Sequence, residues 1–343
     1  MTGFRWAIAI PANDEAARIG ACLAALRDQR TVTPGEGVVV VLANNCSDDT
    51  AKIAREFAHV HVIEHDFASG EGSAGAARRM AMARARNMVR DDAILITTDA
   101  DTVADPDWIS AMLDCFTDAR VDLVAGRVSA DWDELQHHPA AALEIGGLEW
   151  RYCNLLPLVE DAIDPMPHDP APRHAQQCGA NIAIRAAMFD RVGGMPDIAT
   201  GEDRALIEAV LKHDGGVRHA NTPHVTASAR IEGRAQGGMA TALRDRIAGT
   251  YLCDELVIPA ALLERRLLLR RQARRAFAEG QFAAWAASHG VFGETEDSFG
   301  SNWANFQARN PSLVPSAVRP ADLHLEIDRM ERLAGAVEKR NAG

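Results

Sequence analysis

The chain has 343 residues, long enough for one large domain or for a domain with an accessory one. Hydrophobic residues make up 47% and charged residues 24%, the balance of an ordinary soluble globular protein. A formal charge of −12, from 36 basic and 48 acidic side chains, argues against non-specific nucleic-acid binding, which needs a basic face. The six cysteines (Cys22, Cys46, Cys115, Cys153, Cys178, Cys253) are scattered without a C-x-x-C pair, and read as free thiols of a reducing compartment. No run of about 18 apolar residues occurs, so no membrane span is expected. A strand starts almost at the N-terminus and leaves no room for a signal peptide, so the expected location is cytoplasmic.

Phe4–Ile10 reads as the first strand, ended by Pro11. Asn13-Asp14 can cap a helix whose apolar stripe is Ile19, Cys22, Leu23 and Leu26. Val38–Leu42 is a second buried strand, followed by the turn-prone Ala43–Asp49 and a short helix with Ile53 and Phe57. Val60–Ile63 reads as a third strand. A Gly/Ser loop over 66–75 leads into an Ala/Met/Arg-rich helix ending near Val89. Residues 93–98 are a fourth, strongly apolar strand, and Asp99-Ala100-Asp101 stands where it emerges. Strands alternating with helices in this way predict right-handed crossovers and a parallel sheet.

Asp105-Pro106 predicts a helix start, a capping carboxylate followed by proline at the first helical position. Val121–Ala125 is another strand, and Ala140–Leu156 a helix. Residues 157–174 hold five prolines (Pro157, Pro165, Pro167, Pro170, Pro172) and read as a long loop. Cys178–Ile184 returns as a strand, Gly193-Gly194 marks a turn, and Glu202-Asp203 opens an amphipathic helix. Short strands are expected at 217–220 and 224–228, and mostly helix from about 240. Leu262–Arg275 carries six arginines among leucines and alanines; it reads as a helix packed on the protein with snorkelling arginines, the alternative being a basic amphipathic helix lying on an anionic membrane.

Three chemistries compete for these signals. Gly70-Glu71-Gly72-Ser73-Ala74-Gly75 matches G-x-G-x-x-G before a helix, the pattern of an NAD(P)-dependent oxidoreductase. The preceding strand ends several residues too early, and two strands already precede it. Asp99-Ala100-Asp101-Thr102 resembles the nucleophile motif of haloacid-dehalogenase phosphatases, but it follows the fourth strand rather than the first. Two carboxylates at the carboxyl end of a parallel strand also suit a divalent cation holding a phosphate.

The last reading uses most of the chain, because residues 4–235 resemble a family-2 glycosyltransferase with the GT-A fold. The resemblance rests on Pro11-Ala12-Asn13-Asp14-Glu15, on the turn Asn44–Thr50, on Gly75-Ala76-Ala77-Arg78, and on Asp99-Ala100-Asp101. Gly179-Ala180-Asn181 with Gly193-Gly194 and the pair Glu202-Asp203 complete it. Ala43 stands where the family usually has an Asp that helps hold the base, so the base is left open. The resemblance implies a GT-A-like catalytic domain over 1–238, with a mostly parallel sheet flanked by helices. Within it, 1–125 would be the nucleotide-binding half and 126–238 the acceptor half, followed by a helical C-terminal region over 239–343.

By the same resemblance, Pro11, Ala12, Asn13, Glu15, Asn44, Gly75, Arg78, Asp99, Ala100 and Asp101 would line the nucleotide-sugar. Gly179 and Asn181 would meet the acceptor. Asp101, Asp99 and His224 would hold Mn2+ or Mg2+. Asp203 would be the general base of an inverting transfer, with Glu202 positioning donor or acceptor. Arg230 and Arg234 could clamp the diphosphate or belong to a solvated loop. The partners implied are a nucleoside-diphosphate sugar and an acceptor that is a small molecule, a glycan or lipid-linked. A non-catalytic nucleotide-binding relative is the remaining alternative.

Overall fold

The computed structural model describes residues 3–30, 33, 35–233 and 238–341. Its elements run β1 (Phe4–Ala12), α1 (Ile19–Arg27), β2 (Gly37–Asn44), α2 (Thr50–Arg55), β3 (Val60–His65), α3 (Ala74–Arg86) and β4 (Val89–Thr97). There follow β5 (Thr102–Ala104), α4 (Trp108–Cys115), β6 (Leu123–Ala130), α5 (Trp132–Leu135), α6 (Ala140–Ile163), β7 (Ile182–Arg185), α7 (Ala186–Arg191), α8 (Glu202–Lys212) and β8 (Val217–Ala227). The chain closes with α9 (Met239–Ala248), α10 (Ala260–Ala278), α11 (Phe282–Ser288), α12 (Phe299–Arg309) and α13 (Leu323–Asn341).

The alternation of strand and helix over the first hundred residues gives the parallel block β3-β2-β1-β4. Beyond β4 the sheet becomes mixed. β7 pairs antiparallel with both β4 and β6, β8 pairs parallel with β6, and short β5 pairs antiparallel with β8. Successive residues of a strand face opposite sides, so continuously apolar strands supply two cores. Ile8, Ile10, Val39, Val41, Ile94 and Ile96 meet α1 and α4 on one face. Ala7, Ala9, Val38, Val40 and Leu95 meet Ala81, Met82 and Ala85 of α3 and Leu206 and Ile207 of α8 on the other.

The residues divide into two compact units. The first comprises Met1–His137, Gln176–Val210 and Gly215–Arg244 and contains the sheet; the second comprises His138–Ala175, Leu211–Asp214 and Asp245–Gly343. In the second, Tyr152, Leu156, Val159 and Ile163 of α6 pack with Leu263 and Leu267 of α10 and Leu323, Ile327 and Met330 of α13. A smaller cluster joins Phe282, Trp303 and Phe306, with the last two rings stacked 5.6 Å apart. No helix among the described residues is long and apolar enough to cross a membrane.

Several local expectations need correction. The 157–174 stretch is helical as far as Ile163, with Pro157 inside α6. A proline in a helix interior costs about 3 kcal/mol. Burial of Leu156, Val159 and Ile163, at about 1.5–3 kcal/mol each, outweighs it. The Asn13-Asp14 cap does not form, since α1 begins at Ile19 and Asp14 has φ of 51° and holds a different turn. Asp107, rather than Asp105, precedes α4, with no side-chain cap. The two short strands at 217–228 are one strand with a register shift against β6 between Gly126 and Arg127. All six cysteines are free, but only Cys22 and Cys253 are buried.

Trp6 of β1 lies over Gly37, where an added Cβ would fall 2.1 Å from the indole. Gly37→Ala should therefore destabilise the sheet by about 1–3 kcal/mol through overpacking, read as a lower urea midpoint with an unchanged m-value. An unaltered midpoint would show that the indole moves aside freely.

Candidate active site

The loops after β1 and β2 are laced together by side-chain to backbone bonds. Asp14 Oδ1 accepts from the amides of Ser47 (2.6 Å) and Asp48 (3.3 Å), and Asp48 Oδ2 accepts from the amide of Ala16 (2.9 Å). Asn13 Nδ2 donates to the carbonyls of Asn44 (2.8 Å) and Asn45 (3.1 Å), and the Glu15 amide donates to Thr50 Oγ1 (2.7 Å). These bonds fix the backbone on both sides of Glu15, which is 7% exposed.

Arg78, in the first half of α3, is 6% exposed and spends its guanidinium entirely within the chain. Nη2 donates to Asp99 Oδ1 and Nε to Glu202 Oε1, each at 2.7 Å; Nη1 donates to Thr97 Oγ1 and to the Gly179 carbonyl, each at 2.9 Å. Burial by itself lowers the affinity of this guanidinium for its proton. The Asp99 and Glu202 charges more than reverse that, and its pKa ends raised. Gly179 has to be glycine here, since a Cβ would stand 2.8 Å from the guanidinium carbon. Its amide donates to Asp203 Oδ2 at 2.7 Å, while Asp203 Oδ1 accepts from the amide of Arg204 at 2.8 Å. The two acidic motifs, a hundred residues apart in sequence, thus share one buried guanidinium and the backbone it touches.

Asp101 lies between β4 and β5 beside a second guanidinium. Arg230 Nη2 is 3.2 Å from Asp101 Oδ2 and also ion-pairs with Glu15 Oε1, and Nη1 donates to Glu15 Oε2 at 2.8 Å. Burial first, and then the Asp99 charge, lifts the Asp101 carboxyl to about 7, with Arg230 opposing and Glu15 adding to the rise. The backbone that carries Arg230 is anchored by Glu134, which accepts from Ser228 Oγ (2.7 Å) and the Ala229 amide (2.8 Å) and pairs with Arg18 (2.7 Å). Sequence reasoning missed Arg18 and Glu134; a lone Arg and Glu on separate elements give no pattern to read. Arg234 lies outside the described residues.

Three expected roles do not fit the geometry. Asn181 has 0% exposure, and its amide is spent on Trp108 Nε1 (2.8 Å) and the carbonyls of Arg127 (2.8 Å) and Pro223 (3.0 Å), so it braces the sheet and does not face an acceptor. His224 is not gathered with Asp99 and Asp101; its ring nitrogens bond Asp105 Oδ2 (3.0 Å) and Ser129 Oγ (2.9 Å). Arg78, expected beside the nucleotide, is buried and places four of its five N–H groups on the chain's own acceptors.

Among the described residues, the group with three metal-type ligand atoms within 4.8 Å of one another is Asp14, Cys46 and Asp48, whose carboxylates already hold the turn amides. The third glycine of the G-x-G-x-x-G match serves a contact within the chain. The Gly75 amide donates to the Ala199 carbonyl at 3.1 Å, and a Cβ there would lie 2.0 Å from the Ile198 carbonyl oxygen, so this glycine lets α3 approach another loop. Pro11 and Ala12 end β1, Asn44 ends β2 and Ala100 follows β4, and Ala12, Asn44 and Ala100 are buried.

Residues 7–154 match the profile of Glycosyl transferase family 2. That stretch is less than half of the chain. It contains Glu15, Arg78, Asp99 and Asp101 and stops short of Gly179, Glu202, Asp203 and Arg230. The chain is similar in structure to S. aureus TarS 1-349 in complex with UDP, at 13% identity and TM-score 0.50, over 98% of this chain and 92% of that one. It also aligns with the mannosyltransferase PcManGT from Pyrobaculum calidifontis in complex with GDP-Man and Mn2+, at 15% identity and TM-score 0.49, over 98% and 75%. A third alignment is with glucosyl-3-phosphoglycerate synthase from Mycobacterium tuberculosis in complex with Mn2+, UDP-Glc and phosphoglyceric acid, at 14% identity and TM-score 0.44, over 73% and 80%. No curated protein matches the chain in sequence. The likeness to TarS is one of fold, and the fold is of the GT-A type.

Removing one partner from a buried ion pair leaves an uncompensated charge and costs about 3–5 kcal/mol. Arg78→Met should lower unfolding free energy by that order, because Glu202 is 5% exposed and would lose its counter-ion. Arg78→Lys should recover only part of it, since one ammonium cannot span four acceptors. A loss under about 1 kcal/mol by urea titration would contradict the role given to this guanidinium.

Proposed function

We propose that the protein transfers a sugar from a nucleoside-diphosphate sugar to an acceptor hydroxyl, with a divalent cation and by single displacement with inversion. The observation that carries this reading is the shared guanidinium of Arg78. It fixes the Asp99-Ala100-Asp101 turn and the Glu202-Asp203 helix start in one rigid arrangement. The match of residues 7–154 to the family-2 glycosyl transferase profile supports the donor side of the reading.

The residues at the β4 end fit a hard cation. Asp99 and Asp101 offer carboxylate oxygens, and the flanking Thr98 Oγ1 and Thr102 Oγ1 are buried without a hydrogen-bond partner. Asp101, with Asp99, would hold the ion, which supplies charge neutralisation for the departing diphosphate. The remaining work falls to the chain. Glu202, locked by Arg78, is a positioning residue. Asp203 accepts one amide proton on each oxygen, which fixes the carboxylate plane and leaves a lone pair on each oxygen for an incoming hydroxyl. It is the base that takes the acceptor proton as the hydroxyl attacks from the side opposite the leaving group.

For Asp203→Asn, nucleotide binding should persist while transfer falls by about 10²–10⁴-fold. Donors would be found first by scoring a panel of nucleotide sugars for hydrolysis. Turnover equal to that of the unaltered chain would remove Asp203 as the base. Asp101→Ala should abolish the metal dependence of nucleotide binding, and a persisting dependence would move the cation elsewhere.

A further inference from the structure

We propose that Arg230 is a resident counter-ion held on the cation's side of Asp101, so that a divalent cation gains Asp101 only as Arg230 swings away. The proposal rests on the reading of Asp101 as a cation ligand and adds what sets the affinity of that ligand. A single nitrogen, Arg230 Nη2, stands between Asp101 Oδ2 at 3.2 Å and Glu15 Oε1, carboxylate oxygens from the ends of two neighbouring parallel strands. A divalent cation binds carboxylate oxygen at roughly 2.0–2.6 Å. Seated on Asp101 beside an unmoved guanidinium, it would meet a like charge at a separation where repulsion matches an ion pair in strength.

The local construction suits a side-chain movement. Glu134, tied in turn to Arg18, clamps Ser228 and the Ala229 amide immediately before Arg230. The backbone is therefore anchored, while the Arg230 side chain keeps 20% of its surface open to water. The acidic groups around it are Glu15, Asp101 and Glu134. With Arg230 in place, the cation alone binds weakly. A diphosphate can take the released guanidinium bidentately, so cation and diphosphate each strengthen the binding of the other by the same factor.

The test is Mn2+ binding to the full chain, followed by the electron paramagnetic resonance signal of free Mn2+ and with no nucleotide present. Arg230→Ala and Arg230→Gln should each bind Mn2+ at least about tenfold more tightly than the unaltered chain, a gain that general damage to the fold does not produce. Asp101→Asn should weaken binding. Equal or weaker Mn2+ binding by both Arg230 variants, with Asp101→Asn still weakened, overturns the gate and leaves Asp101 as a ligand. No Mn2+ binding by any of the chains, or no effect of Asp101→Asn, overturns both readings. Since losing Arg230 leaves Glu15 without its partner, thermal unfolding supplies a second readout. Mn2+ should raise Tm more for the Arg230 variants than for the unaltered chain, and a smaller rise counts against the proposal.

Discussion

Taking a guanidinium out of water costs several kcal/mol unless every acceptor it needs is waiting for it, and at Arg78 they are. Asp99 and Glu202 supply charge, while Thr97 and the Gly179 carbonyl take both hydrogens of Nη1, so four of the five N–H groups are bonded within the chain. Much of the surrounding sequence follows from this one group. Gly179 must lack a side chain to lie flat against it, and Gly75 must lack one for α3 to bring it close to the 198–199 loop. Thr97 ends β4 within its reach, and α8 starts so that Glu202 points inward. Removing the guanidinium would leave the buried Glu202 carboxylate without a counter-ion and Asp99 without its partner.

A second guanidinium, Arg230, treats the outer part of the same acidic corner differently. Arg78 is sealed and multiply bonded, so it acts as a fixed strut; Arg230 is partly open to water and holds two carboxylates that a cation could claim. The site therefore combines one permanent counter-ion with one exchangeable one. The stretch that matches the family-2 glycosyl transferase profile ends before Arg230 and before the candidate base.

The order of the first seven elements was legible because β1, β2 and β4 each carry an apolar run buried on both faces, while the edge strand β3 is short and mixed, with Val60, Val62 and Ile63 among His61 and Glu64. Asp99, Asp101, Glu202 and Asp203 were legible as motifs, but their mutual placement was not, because the link runs through the side chain of Arg78, read as a ligand contact. Asn181 was misassigned for a similar reason. A buried amide bonded to Trp108 and two carbonyls looks, in sequence, like any polar residue near a glycine. The helix through Pro157 was hidden because proline spacing signals a loop, whereas Leu156, Val159 and Ile163 become decisive only once α10 and α13 are present to cover them. Glu134 and Arg18 carried no local signature, and only the tertiary structure brings them together.

The central claim is that the Asp99–Asp101 corner is a sugar-nucleotide diphosphate site. Thermal unfolding with UDP or GDP plus Mn2+, compared with each component alone and with NAD(H), tests it most directly. The account predicts a rise in Tm that needs both the nucleoside diphosphate and the metal. Stabilisation by NAD(H) alone, or indifference to both nucleoside diphosphates with Mn2+, would contradict it.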